Sequence, residues 1–110
     1  MPDTNEDEPF ARIDVHEAKR LMDDGGVQVV DTREPDEHAE GHVPGSFNIP
    51  HMATLPRADE LAKDRPILFI CKSGQRSAVA AEFAASLGLG DLFNVEGGHD
   101  AWREAGYELE

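Results

Sequence analysis

The segment Pro66-Ile67-Leu68-Phe69-Ile70-Cys71-Lys72-Ser73-Gly74-Gln75-Arg76-Ser77 constrains this chain more than any other. Its first part is apolar at successive positions, so a strand there must be covered on both sides. Its second part is a short polar loop holding the only cysteine and Gly74. A helix is expected to open at Arg76 or Ser77 and run to about Leu87, where Gly88 stops it. Val79, Phe83 and Leu87 mark one face of it, and Ala80 and Ala84 allow close packing. Glu82 is its only charge after Arg76, so most of its circumference should be covered.

The rest of the chain repeats this alternation. Phe10 to Ile13 reads as a first strand. Asp14 can cap a helix from Val15 to about Asp24, with Glu17 at the third helical position and Gly25-Gly26 as its end. Val27 to Asp31 is a β-branched run of strand length. Pro35 suits the first position of a short helix through Ala39. Gly41 to Gly45 is turn chemistry, Ser46 to Ile49 a short strand, and Ala58 to Lys63 another short helix. Leu92 to Val95 is a last strand, and His99 to Ala105 a terminal helix carrying Trp102. Strands alternating with helices imply an α/β layer fold with a mainly parallel sheet. Reactive groups in such sheets gather beyond the C-terminal strand ends. Cys71 follows one strand and Asp31 to Arg33 another, so both should meet at one edge.

At 110 residues the chain is one domain. Residues 1–9 read as a disordered acidic tail and 10–110 as the folded unit. A single cysteine excludes an internal disulfide and a cysteine-cluster metal site. The histidines lack metal-ligand spacing, so no metal is expected; no cofactor is expected either. The acidic start has no apolar signal region, and no apolar run approaches a membrane span. The expectation is a soluble, cytoplasmic monomer. Its net charge of −13 disfavours nucleic acid and anionic membranes, and suggests adaptation to high salt. Against that background Lys63, Arg65, Lys72 and Arg76 face only Asp64 within residues 63–77, a local net +3. A positive island suits an anionic substrate.

The loop after Ile70 can activate a thiol. A helix N-terminus, neighbouring cations and backbone N–H groups all lower a cysteine pKa. Lys72 and Arg76 can attract an anion, although Arg76 can instead turn back onto a carboxylate. Gly74 lets the loop curl where a Cβ would clash. Asp31 should accept hydrogen bonds from neighbouring backbone, and Arg33 should pair with Glu34, Glu40 or Glu96. His42 reads as structural, and His16, His38 and His51 as surface or loop residues. Trp102 reads as core.

Three blocks, in order, resemble one family. They are Val30-Asp-Thr-Arg33 through Glu40-Gly-His-Val-Pro-Gly-Ser-Phe-Asn-Ile-Pro50, then Ile67 through Cys71-Lys-Ser-Gly-Gln-Arg-Ser77, then Asn94-Val-Glu-Gly-Gly98 through Ala101-Trp102. The chain resembles the rhodanese superfamily in its single-domain form from about Phe10 to Tyr107. The resemblance implies a parallel five-stranded sheet with helices on both faces, and sulfurtransferase chemistry. Cys71 would be the nucleophile. Lys72, Ser73, Gly74, Gln75, Arg76 and Ser77 would form the substrate loop, with Asp31 and Arg33 in support. The implied donor is thiosulfate or a persulfide. The implied acceptor is cyanide or a thiol, including a dithiol of the thioredoxin kind. His99 departs from the family, which often places an aromatic residue there. Cysteine-dependent phosphatases have a similar layout with five residues between Cys and Arg. Here four residues separate Cys71 from Arg76, which favours a pocket for sulfur. A persulfide carrier for a biosynthetic partner remains an alternative. A phosphatase, an arsenate reductase and a silent interaction module fit the loop less well.

Overall fold

The structure is a computed structural model. It describes the backbone of residues 3–4, and residues 8–110 with their side chains. Residues 1–2 and 5–7, part of the expected acidic tail, lie outside the described residues.

Five parallel strands form the sheet: β2 (Ala11–Ile13), β3 (Gln28–Asp31), β4 (Phe47–Asn48), β5 (Ile67–Ile70) and β6 (Leu92–Val95). A sixth, β1 (Asp3–Thr4), lies antiparallel on β2 with Thr4 opposite Ala11. This edge pair falls inside the segment expected as a tail. Its residues are acidic and polar, but an edge strand needs only backbone donors and acceptors. The strand order is β1-β2-β6-β5-β3-β4, which puts β5 at the centre. The helices are α1 (Val15–Asp24), α2 (Pro35–Glu40), α3 (Gln75–Ser86) and α4 (Gly98–Glu104). The segment expected as a helix from Ala58 to Lys63 is a single 3-10 turn, Ala58–Glu60. Buried Leu61 turns extended, at φ −81° and ψ 137°, and the Gln28 side chain binds Glu60 O and the Ala62 N–H on either side of it, taking the backbone groups a longer helix would need.

Alternation on β5 builds two cores. Ile67 and Phe69 pack with Val30, Leu92 and the alanines of α3. Leu68 and Ile70 pack with Val15 and Ala18 of α1 and with Trp102 of α4. All four β5 side chains are at most 3% exposed, each worth about 1.5–3 kcal/mol of burial. Asp14 caps α1 by accepting from the Glu17 N–H at 2.9 Å, as its position requires.

The buried face of α3 is Ser77, Ala80, Ala81 and Ala84. Val79 and Leu87 are exposed, so the face expected from the large residues is displaced around the helix. The cause is distance. Alanines let the α3 backbone settle close to the sheet, where a Val or Leu would hold it off.

Candidate active site

The parallel strands converge on one edge. There β5 delivers Cys71, β3 delivers Asp31 to Arg33, and β6 delivers Glu96 to Gly98. Bonds across the strand ends hold this edge: the Thr32 N–H donates to Ile70 O of β5 at 2.8 Å, and the Glu96 N–H to Ile13 O of β2 at 2.7 Å.

Gly74 caps the start of α3 with φ +110°, and it is this conformation that favours glycine rather than the expected clash, since a Cβ would stand at an ordinary 3.5 Å from its nearest neighbour, Gly97 N. This turn aims its backbone N–H at Cys71 Sγ, 3.1 Å away. The Ser77 hydroxyl lies 3.4 Å from the same sulfur. Cys71 is 1% exposed, yet its sulfur meets polar donors, the Gly74 N–H and the Ser77 hydroxyl. Burial alone would raise the thiol pKa. The Ser77 hydroxyl and the backbone N–H groups of Ser77, Gly74 and Ser73 outweigh it and hold the thiol below its usual value.

The cations of the loop are engaged. Arg76 forms a bidentate pair with Glu37 of α2, at 2.7 and 3.0 Å. That pair holds Glu37 down to about 2. Lys72 pairs with Asp100 of α4 at 2.9 Å. Ser73 bonds Gln75, both exposed to solvent. Arg33 does not pair with Glu34, Glu40 or Glu96. It binds Asp31 through Nε and Nη2, and donates to Gly41 O at 2.7 Å. Asp31 accepts one backbone N–H, from Arg33, but its main partners are side chains: the Arg33 guanidinium and His38 Nδ1 at 2.8 Å. Burial would raise Asp31, and Arg33 with His38 reverses this, so Asp31 is held low. At 1% exposure Asp31 needs the nearest cation, which is the one two residues on. His38 is therefore a partly buried ligand of Asp31 rather than a surface residue. Its ring stacks on His42 with centroids 3.8 Å apart.

Helix α4 closes the loop from above. The His99 N–H donates to Cys71 O at 2.7 Å and the Asp100 N–H to Lys72 O at 3.0 Å. Gly98 makes this approach possible, because a Cβ there would stand 2.4 Å from Cys71 O. His99 is buried, with Nε2 lacking a partner among the described residues. Burial, with Arg33 and Arg103 nearby, holds its pKa below the usual imidazole value. A cleft of about 210 Å³ opens beside the loop, lined by Arg33, Glu37, Lys72, His99, Asp100 and Arg103 among others. Cys71 does not line it. The partners Glu37, His38 and Asp100 were not visible as site residues in the sequence. Only their helical placement brings them to this edge.

A family model, the Rhodanese-like domain, matches residues 14–105. The chain belongs to this family. Among its rhodanese relatives is a protein named thiosulfate sulfurtransferase GlpE from Pseudomonas paraeruginosa, 33% identical over 86% of this chain and 84% of its own. Another of that name, from Shewanella oneidensis, is 29% identical over 87% of this chain and 95% of its own. A crystal structure of a rhodanese-related protein from Thermoplasma volcanium superposes with a TM-score of 0.82 at 34% identity, covering 90% of this chain and 96% of that one. A buried, amide-ringed thiol at the helix start of such a domain can act as a nucleophile toward sulfur.

Proposed function

We propose that this protein is a thiosulfate sulfurtransferase working through a persulfide on Cys71. The observation that carries this reading is the Gly74 N–H directed at Sγ inside the first turn of α3. The Cys71 thiolate attacks the outer sulfur of thiosulfate. A new S–S bond forms as the old one breaks, and its electron pair leaves on sulfite. The amides of Ser73, Gly74 and Ser77 stabilise the negative sulfur before and after transfer. An acceptor such as cyanide then attacks the outer sulfur, departs as thiocyanate, and returns Cys71 as thiolate. This is two-step covalent catalysis.

Lys72 and Arg76 act mainly through the loop. Tied to Asp100 and Glu37, they hold its ends, and those two carboxylates offset the positive charge expected of the segment. Asp31 and Arg33 brace the neighbouring strand end. Glu37 occupies the Arg76 guanidinium that a phosphate would need, which disfavours the phosphatase reading. A lone reduced thiol suits the cytoplasm, where a dithiol of the thioredoxin kind is the fitting acceptor.

Thiosulfate with cyanide should yield thiocyanate, and Cys71→Ser should abolish it. Mass spectrometry after thiosulfate alone should find about 32 Da added on Cys71, one sulfur at the persulfide rung. Turnover retained in Cys71→Ser removes the proposal. A slow thiosulfate rate beside fast loading from a desulfurase persulfide would reassign the protein as a sulfur carrier.

A further inference from the structure

Ser77 is fully buried and faces two acceptors with one proton. Its Oγ bonds Asn94 Oδ1, and lies farther, at 3.4 Å, from Cys71 Sγ. A hydroxyl carries a single hydrogen, so it can satisfy only one of them at a time. The orientation of the Asn94 amide is fixed by its other contacts. Nδ2 donates to Gly74 O at 3.2 Å and to the Glu96 carboxylate, both of them acceptors. A flipped amide would set its oxygen against both. Oδ1 must therefore face Ser77, and it takes the hydroxyl proton. In that arrangement the serine oxygen turns lone pairs toward the sulfur, which suits a neutral thiol donating S–H. A thiolate needs the opposite: the hydroxyl must swing to Sγ and abandon Asn94.

We infer that Asn94 is a positioning residue for the nucleophile: its clamped amide competes with the Cys71 thiolate for the single proton of Ser77, and so sets how readily the thiol ionises. The inference rests on Cys71 being the reactive group, as proposed above. It assigns Asn94, which is fully buried on β6, an effect on the thiol through Ser77 that is separate from its bond to Gly74 O. Losing the competitor should free the hydroxyl for the thiolate. Losing the hydroxyl should leave the backbone amides as the main support.

The charged and titratable groups on the loop and on the elements that pack against it are Arg76 with Glu37, Lys72 with Asp100, Asp31 with Arg33, and Glu96, together with His38 and His99. The test leaves all of them in place. The pH midpoint of Cys71 alkylation by iodoacetamide is measured in the full chain, with no sulfur donor present. Ser77→Ala should raise the midpoint, and Asn94→Ala should lower it, each by about half to one pH unit. In the Ser77→Ala background, Asn94→Ala should no longer lower the midpoint, because only the bond to Gly74 O is then lost, and that loosens a turn that supports the thiolate. A midpoint unmoved or raised by Asn94→Ala, or lowered equally without Ser77, overturns the inference. A second readout uses unsubstituted protein, in case the Asn94 variant does not fold. The Asn94 side-chain amide resonance should titrate with the thiol in wild type and stay flat in Ser77→Ala. A flat wild-type resonance also overturns it. Neither measurement needs sulfur transfer, so a protein inactive toward thiosulfate can still pass both.

Discussion

Gly98→Ala tests whether the α4 start holds the loop. At φ +55° an alanine pays about 1 kcal/mol of backbone strain. Its Cβ would stand 2.4 Å from Cys71 O and 2.7 Å from Lys72 O, both backbone atoms that cannot rotate away. Relieving such overpacking costs about 1–3 kcal/mol. The shift must also stretch the bonds from His99 N–H and Asp100 N–H, at about 1 kcal/mol each if lost. The expected loss is about 3–4 kcal/mol, or a fall in Tm on the order of 15 °C. Gly106→Ala is the matched control. It has φ +82° and nothing within 4 Å of its Cβ, so it incurs the strain alone, about 1 kcal/mol. Urea unfolding followed by fluorescence of Trp102, the only tryptophan and 1% exposed, reads both variants. Equal losses in the two would refute the claim that α4 is wedged against the loop carbonyls.

The Arg76–Glu37 pair should appear in the acid range. Glu37 is lowered from 4.5 to about 2, so its contribution is complete above pH 4.5 and disappears as pH falls toward 2. The stability gap between wild type and Glu37→Gln should narrow over that window; a gap independent of pH would show that the pair contributes no linkage. Arg33→Ala leaves buried Asp31 with His38 as its remaining side-chain partner, and should cost about 3 kcal/mol in urea unfolding. Lys72→Ala breaks an exposed pair and should cost under about 1 kcal/mol; the reverse order would contradict the burial argument. Stability should rise from low toward molar salt, because a net −13 repels itself until screening shortens to about 3 Å. A flat or falling thermal midpoint across that range would remove high-salt adaptation as the reason for the acidity.

The parts legible in the sequence are those decided by local chemistry. Apolar residues at every position of Ile67–Ile70 require cover on both sides, and the two cores supply it. Asp14 and Gly25 delimit α1 because caps act on their own helix. The parts that were hidden depend on which elements meet. Arg33 has several acidic candidates within a few residues, and only the depth of Asp31 decides among them. On α3 the close packing expected of Ala80 and Ala84 is present, whereas Val79 and Leu87, which were expected to mark a covered face, are exposed. Asn94 sat inside a recognisable block, yet nothing in its neighbours could reveal that Ser77 lies across from it.

These hidden contacts support the proposal that a nearly inaccessible cysteine is the nucleophile. Burial in hydrocarbon would keep the thiol neutral and inert. Burial among three backbone N–H groups and one hydroxyl does the reverse, because those donors are worth most where water cannot compete. The shell works only if the loop is held in one shape. Each part of it is anchored by a different element: Lys72 and the carbonyls of Cys71 and Lys72 by α4, Arg76 by α2, and Gly74 O by Asn94 of β6. A thiol supported this way is tuned by residues that never touch the substrate. Its acidity should therefore respond more to substitutions in the anchors than to changes in the net charge of the surface.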